Sequence, residues 1–305
     1  MDLDTVLSAI LVLFLLISVG FIARKHGILN SDRVHGISHI LVNIALPALT
    51  ISSMQVPLNA QSVGIVDNML FLAVAYYFAA FGLSLLICRF LPSSDTEKGV
   101  FQFMLIFPNV GFMGIPVSEA ILGPGSLFYV ILFNLPFNFL VFTMGVYLLA
   151  RGRPGKMDLR LLVTPGLVAS LIGLALFLAG YTLPAPAGIT LDWIGKATTP
   201  LAMLVVGALL ATLPVSRLAG DRRIMVITAF RLVIFPVLAF ALLVPFIHDR
   251  LLLGTIVLLI AMPVAANTVL LSEEYKVDAT LASQGVFLST LLCLATIPLI
   301  GILFF

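Results

Sequence analysis

Phe107-Pro108-Asn109-Val110-Gly111-Phe112-Met113-Gly114-Ile115-Pro116 is the stretch that decides how this chain folds. It lies near the middle of an apolar segment, about 99–121, that is long enough to cross a bilayer. Each proline removes a backbone donor and pushes against the preceding turn. In hydrocarbon, freed backbone groups are tolerated only where protein or a water-filled cavity covers them. The stretch therefore predicts a helix broken inside the membrane. Pro108, Gly111, Gly114 and Pro116 shape the break, and a binding site is built on it.

The rest of the chain agrees with a membrane setting. Of its 305 residues, 61% are hydrophobic and 10% charged, and the mean hydropathy is +1.19. A soluble domain carries about 25% charged residues. The chain is thus expected to be an all-α integral membrane protein. The net charge is +2 and no basic tract is present, which excludes nucleic acid as a partner. Cys88 and Cys293 lie in apolar segments and are read as small packing residues rather than a disulfide. Asp2 and Asp4, not lysines, precede the first apolar segment, and its apolar core is longer than that of a signal peptide.

Ten spans are predicted, near 5–23, 35–54, 68–88, 99–121, 127–149, 161–181, 197–214, 224–247, 251–271 and 281–304, with loops at 55–67 and 182–196. Basic residues sort by loop. Arg24, Lys25, Arg33, Arg89, Lys98, Arg151, Arg153, Lys156, Arg160, Arg217, Arg222, Arg223 and Lys276 fall on one side, and only Lys196 and Arg250 on the other. Positive charge marks the cytoplasmic side, so the expected location is the cytoplasmic (inner) membrane with both termini outside. Landmarks also recur. Pro47 and Pro200 are 153 residues apart, Pro108 and Pro263 are 155 apart, and Ser118-Glu119 and Ser272-Glu273 are 154 apart. Residues 1–150 and 151–305 thus look like two copies of five spans. An odd number of spans per copy makes the copies inverted, as in secondary transporters.

The second copy carries its own interruption, Pro263-Val264-Ala265-Ala266-Asn267, in span 9. Matching interruptions in the two halves are the best sequence pointer to a transporter's site. Each break makes a half-helix N-terminus with unpaired donors and roughly half a positive charge, which suits an oxyanion. Asn109 and Asn267 lie at the breaks and are the first candidate ligands. The plainer alternative is a pair of proline kinks whose asparagines bond to neighbouring backbone. Asn43 and Thr50 flank Pro47, and Asn134 and Asn138 flank Pro136 on one helical face. These four either line the pocket or act as interhelical glue. Gly207-xxx-Ala211 and Gly166-xxx-Ser170 read as close-packing faces.

No Asp or Glu lies at the centre of a span; Glu119, Glu273 and Glu274 sit near span ends. This argues against coupling through a buried acid and leaves open Na+ held by carbonyls, so the coupling ion (H+ or Na+) is undetermined. Arg231, about two turns into span 8, is expected to snorkel to the cytoplasmic surface, or else to attract an anionic substrate from inside. His35 and His39 share a face without a third ligand, so no metal is expected. No HExxH, P-loop or Ser-His-Asp arrangement is present, so neither an enzyme nor a cofactor is expected.

Taken together, Pro108-Asn109-x-x-x-Met113-Gly114-Ile115-Pro116, Gly20…His26-Gly27-Ile28-Leu29 with Asn43-x-x-x-Pro47-Ala48-Leu49, and Met262-Pro263-Val264-Ala265-Ala266-Asn267 leading into Ser272-Glu273-Glu274-Tyr275 resemble the auxin efflux carrier (PIN-like) family, in its compact bacterial form. Leu288-Ser289-Thr290-Leu291 and Pro298 fit the bacterial branch. The resemblance implies ten helices with spans 4 and 9 crossing at their prolines. It implies a scaffold of spans 1, 2, 6 and 7 and a transport domain of the others. It also implies transport of organic anions, such as auxin in plants and small carboxylates in bacteria. Among contacts, it implies Asn109 and Thr50. The span 9 segment departs from the plant pattern, so auxin specificity does not carry over. The expectation is a carrier for a small organic anion working by elevator-type alternating access. The alternative is a membrane sensor or scaffold that binds such an anion without moving it. The bilayer and the anion are the expected partners, and a homodimer stays open.

Overall fold

The computed structural model describes residues 3–150, 164–211 and 221–304. Arg151, Arg153, Lys156, Arg160 and Arg217, which carry part of the charge asymmetry, lie outside the described residues. The described residues form helices and no β-strand. In order these are α1 (Leu3–Lys25), α2 (Ser31–Ser53), α3 (Ala60–Phe90), α4 (Asp95–Ile106), α5 (Val110–Leu122), α6 (Ser126–Leu149), α7 (Pro165–Leu178), α8 (Ala185–Lys196), α9 (Thr198–Leu210), α10 (Arg222–Leu243), α11 (Arg250–Ile260), α12 (Asn267–Glu274) and α13 (Ala279–Phe304). Among the described residues, six runs are long and apolar enough to cross a membrane: α2, α3, α6, Ala185–Leu210 of α8 and α9, α10, and Ala279–Ile302 of α13. Large apolar side chains such as Phe71 (71% exposed) and Leu242 (67%) cover their outer faces. A multi-pass membrane protein accounts for that surface; water does not.

Several expected boundaries move. The stretch 182–196 was expected to be a loop because it is rich in Pro and Gly, yet Ala185–Lys196 is helical. Pro186 sits in its first turn, where a missing N–H costs nothing, and Lys196 pairs with Asp192 one turn back at 2.6 Å. Likewise α3 begins at Ala60 rather than near 68. Asn59 Oδ1 accepts the Ser62 N–H and Ser62 Oγ accepts the Asn59 N–H, each at 2.9 Å, a reciprocal cap. Cys88 and Cys293 are free and buried.

Prolines also widen helices. The turns at Leu41–Ala45, Val110–Gly114 and Phe230–Ile234 are π-bulges, and Pro47, Pro116 and Pro236 each follow within two residues. A proline cannot bond the carbonyl four residues back and its ring displaces it, so the turn opens by one residue. Helix ends recur along the chain as the prolines do. Lys25 and Leu178 are 153 residues apart, Phe90 and Leu243 are 153 apart, and Ser126 and Ala279 are 153 apart.

The chain divides into two compact units. The first holds the described residues within Met1–Leu70, Gly111–Asn138 and Val163–Thr212. Here α1 and α9 pack backbone to backbone, because a Cβ on Gly207 would strike the Ile17 carbonyl and one on Gly20 the Leu204 carbonyl. The expected face at Gly207 is thus a true close contact. The expected one at Gly166 is not, since a Cβ there would have 3.8 Å to Asn138 Nδ2. The tight glycine of α7 is instead Gly173, whose Cβ would lie 3.0 Å from Met54 Cγ. Gly207→Val is therefore expected to cost about 1–3 kcal/mol by overpacking, read as a lowered thermal midpoint in detergent.

The second unit holds the described residues within Phe71–Val110, Phe139–Leu162 and Leu213–Phe305. Its centre is made by α4 and α11. Residues 99–106 and 252–260 are buried on every face, which is the environment a helix apolar all round requires. Ser94 caps α4 in a reciprocal box with Glu97. The Arg223 guanidinium then ties this end together, reaching Glu97 at 2.9 Å, Asp221 at 2.7 Å and the Pro92 carbonyl at 2.9 Å. Hydrogen bonds from Arg223 hold both carboxylates below their usual range, and the Ser94 N–H adds to the effect on Glu97. A carboxylate with a lowered folded pKa contributes stability above its unfolded value near ~4 and loses it as pH falls through the folded value. The wild type should therefore lose thermal midpoint steeply below about pH 4. Arg223→Gln should be less stable at neutral pH and converge on the wild type in acid, as a melting series across pH will read.

Candidate functional site

Phe107, preceding Pro108, leaves the helix for an extended conformation (φ −102°, ψ 104°), as a residue before proline must. The two interruptions then pair. Pro108 and Val264 form an antiparallel bridge, in which the Asn109 N–H donates to the Pro263 carbonyl at 2.8 Å and the Ala265 N–H donates to the Phe107 carbonyl at 3.0 Å. The Val264 N–H is taken by Ser289 Oγ of α13 at 3.0 Å. Thr268 Oγ1 donates back to the Ala265 carbonyl at 2.6 Å. These backbone groups at the two interruptions are thus paired within the chain, as irregular chain at membrane depth requires.

The carbonyl ends of α4 and α11 have a charged partner. Arg231, fully buried, donates Nε–H to the Met262 carbonyl (3.1 Å), Nη1 to the Leu105 carbonyl (3.1 Å) and Nη2 to the Ile260 carbonyl (2.6 Å). Its Nη1 also donates to Tyr76 Oη, and the Tyr76 hydroxyl donates onward to the Ile106 carbonyl at 3.1 Å. The guanidinium carbon lies 5.9 Å from the Tyr76 ring centre, within cation–π range. This corrects the expectation that Arg231 snorkels outward. Arg231 lies in the π-bulge before Pro236 and is buried there, and four bonds replace its hydration. Sequence reasoning missed this role. The signal was present: Tyr76 and Arg231 are 155 residues apart, the same spacing as Pro108 and Pro263.

With the carbonyl ends neutralised, the amino ends remain. Val110 opens α5 and Asn267 opens α12, one residue past Asn109 and two past Ala265. Pro108, Asn109, Pro263 and Asn267 all belong to this unit; Asn109 is buried and Asn267 half-buried.

The remaining candidates belong to the first unit. Thr50 is buried. Asn43 is exposed and its amide donates to the His39 carbonyl of its own helix at 2.8 Å. Asn134 Oδ1 and Asn138 Nδ2 are buried without a hydrogen-bond partner among the described residues, on the face that flanks Pro136. Gly111 has open space where a Cβ would stand, while Gly114 and Pro116 are buried. Glu119 accepts a hydrogen bond from Thr199 Oγ1 at 3.1 Å.

Comparison with known proteins places this geometry in context. The family model described as "Membrane transport protein" matches residues 5–160 and 153–301. A protein of Methanothermobacter thermautotrophicus named "Uncharacterized transporter" is 27% identical, over 97% of this chain and 96% of its own. A protein of Rhizobium meliloti named "Putative malonate transporter" is 25% identical, over 94% and 92%. The Escherichia coli protein named "Uncharacterized transporter YfdV" is 23% identical, over 95% of both chains.

Proposed function

The chain belongs to the membrane transport protein family of auxin-efflux-carrier type, and from that premise we propose that it carries a small organic anion, such as a carboxylate, across the cytoplasmic membrane. The observation that carries this reading is the paired interruption. Two half-helices, α5 and α12, begin beside the Pro108–Val264 bridge, and each amino end brings roughly half a positive charge. Together they offer about one unit of positive charge without an ionised side chain, which suits a monocarboxylate, or a dicarboxylate accompanied by a cation. Asn109 and Asn267 supply amide hydrogen bonds that orient the carboxylate. Thr50, Asn43, Asn134 and Asn138 are further candidate contacts of the anion. The name of the Rhizobium meliloti relative supports a small carboxylate.

The proposed mechanism is alternating access of the elevator type. Ten spans form two inverted five-helix repeats, 1–150 and 151–305. Spans 3–5 and 8–10 carry the site at the crossing of spans 4 and 9, and spans 1, 2, 6 and 7 are the scaffold. Both termini lie outside, as the basic loops suggest.

Proteoliposomes test it. Purified protein is reconstituted and challenged with a panel of radiolabelled mono- and dicarboxylates. At least one should exchange across the membrane, and Asn109→Ala combined with Asn267→Ala should lower that rate by about 10-fold or more, equivalent to ~1.4 kcal/mol of lost binding. An unchanged rate in the double variant would remove the site assignment. Saturable binding with no flux would favour the sensor instead.

A further inference from the structure

The Arg231 network does more than satisfy backbone. The carboxyl ends of α4 and α11 each carry roughly half a negative charge, and one guanidinium, a fixed cation, balances the pair. Carriers built on interrupted helices hold coupling Na+ with such half-helix carboxyl ends and unwound carbonyls. Here the Leu105, Ile260 and Met262 carbonyls are taken by Arg231 N–H groups inside a fully buried pocket. We infer that Arg231 is a resident, tethered cation standing where a coupling Na+ would otherwise bind, so that the anion moves without Na+ at these ends. The transport part of this statement rests on the carrier reading above.

Three features make the arrangement a built one. Arg231 lies within the π-bulge Phe230–Ile234 and is buried there. Tyr76, at the matching place of the other half, receives an Arg231 N–H and donates its own O–H to the Ile106 carbonyl, so three bonds of the guanidinium and the one of the phenol are spent on the ends of the two half-helices. A Na+ brought to the same carbonyls would also meet the guanidinium charge at close range, with little water to screen it.

The test begins with unmodified protein. Purified protein is melted in NaCl, KCl and choline chloride at one ionic strength. The midpoints should coincide to within about 1 °C, since an ion that does not bind adds no stability. Flux of whichever carboxylate the panel identifies should be unchanged when choline replaces Na+. Arg231→Ala should melt lower, and millimolar guanidinium, but not choline, should restore part of the loss by refilling the vacated place. A saturable, Na+-specific rise of the wild-type midpoint, or wild-type flux that requires Na+, would overturn the inference, and so would Arg231→Ala that melts and transports like wild type. The wild-type salt series needs no variant, so it decides the matter if Arg231→Ala cannot be purified. Melting also involves no substrate. Salt-indifferent melting with guanidinium rescue but no flux in any salt would sink the carrier reading and leave the tethered cation standing.

Discussion

Replacing Arg231 by methionine should destabilise the protein by about 3–5 kcal/mol, at the extreme of what single substitutions do. Methionine matches much of the volume, so the cost is not a cavity. It comes from the Leu105, Ile260 and Met262 carbonyls, each left buried without its donor; every such orphan costs about 1–3 kcal/mol. The carboxyl ends of α4 and α11 would then face each other with uncompensated negative charge. Arg231→Lys should recover only part of the loss, because an ammonium keeps the charge but offers three donors from one point rather than a planar fork. The ordering wild type, Arg231→Lys, Arg231→Met in thermal midpoint, spread over on the order of 10 °C, is the expected reading. A methionine variant within about 1 kcal/mol of wild type would show that the network is not holding the half-helices.

Much of this was legible in the sequence because prolines act locally and their effects do not wait for packing. Pro108 and Pro263 mark both breaks, and the helices end at Ile106 and Ile260, within three residues of them. Spacing between the halves was equally visible, since helix ends such as Phe90 and Leu243 keep the interval that the prolines keep. Other features could not be seen that way. The helical character of Ala185–Lys196 depends on packing: Gly195 lets α8 lie against the backbone of Leu49, where a Cβ would come within 2.9 Å of the Leu49 Cα, and composition alone argued for a loop. Arg231 was misjudged for a related reason. Depth in a span favours snorkelling when the arginine is considered alone, and only the pairing of the two interruptions creates a set of carbonyls worth the desolvation of a guanidinium. For the candidate ligands, the asparagines beside the breaks were apparent as residue types. That Asn43 spends its amide on the carbonyl one turn back, while Asn134 and Asn138 keep buried polar atoms without a partner among the described residues, is set by neighbours that no spacing rule supplies.

Stability and transport should part company at Asn267, and this is the sharpest test of what the amino ends are for. Asn267 opens α12, where the first turn favours negative charge by about 0.3–1 kcal/mol. Asn267→Asp should therefore melt at or slightly above the wild-type temperature. If the same amino end holds the substrate anion, the new carboxylate occupies the field the substrate needs and repels it at short range in a poorly hydrated place. Flux of the transported carboxylate should then fall by at least about 100-fold, the equivalent of ~2.7 kcal/mol. Asn267→Ala should show a different pattern, a small loss of midpoint with a milder loss of flux, because it removes an amide without adding charge. Were α12 only a structural piece of a kinked span, the two variants would rank the same way in both measurements, with aspartate the better tolerated. An inversion of rank between melting and flux is what an anion site at this helix end requires.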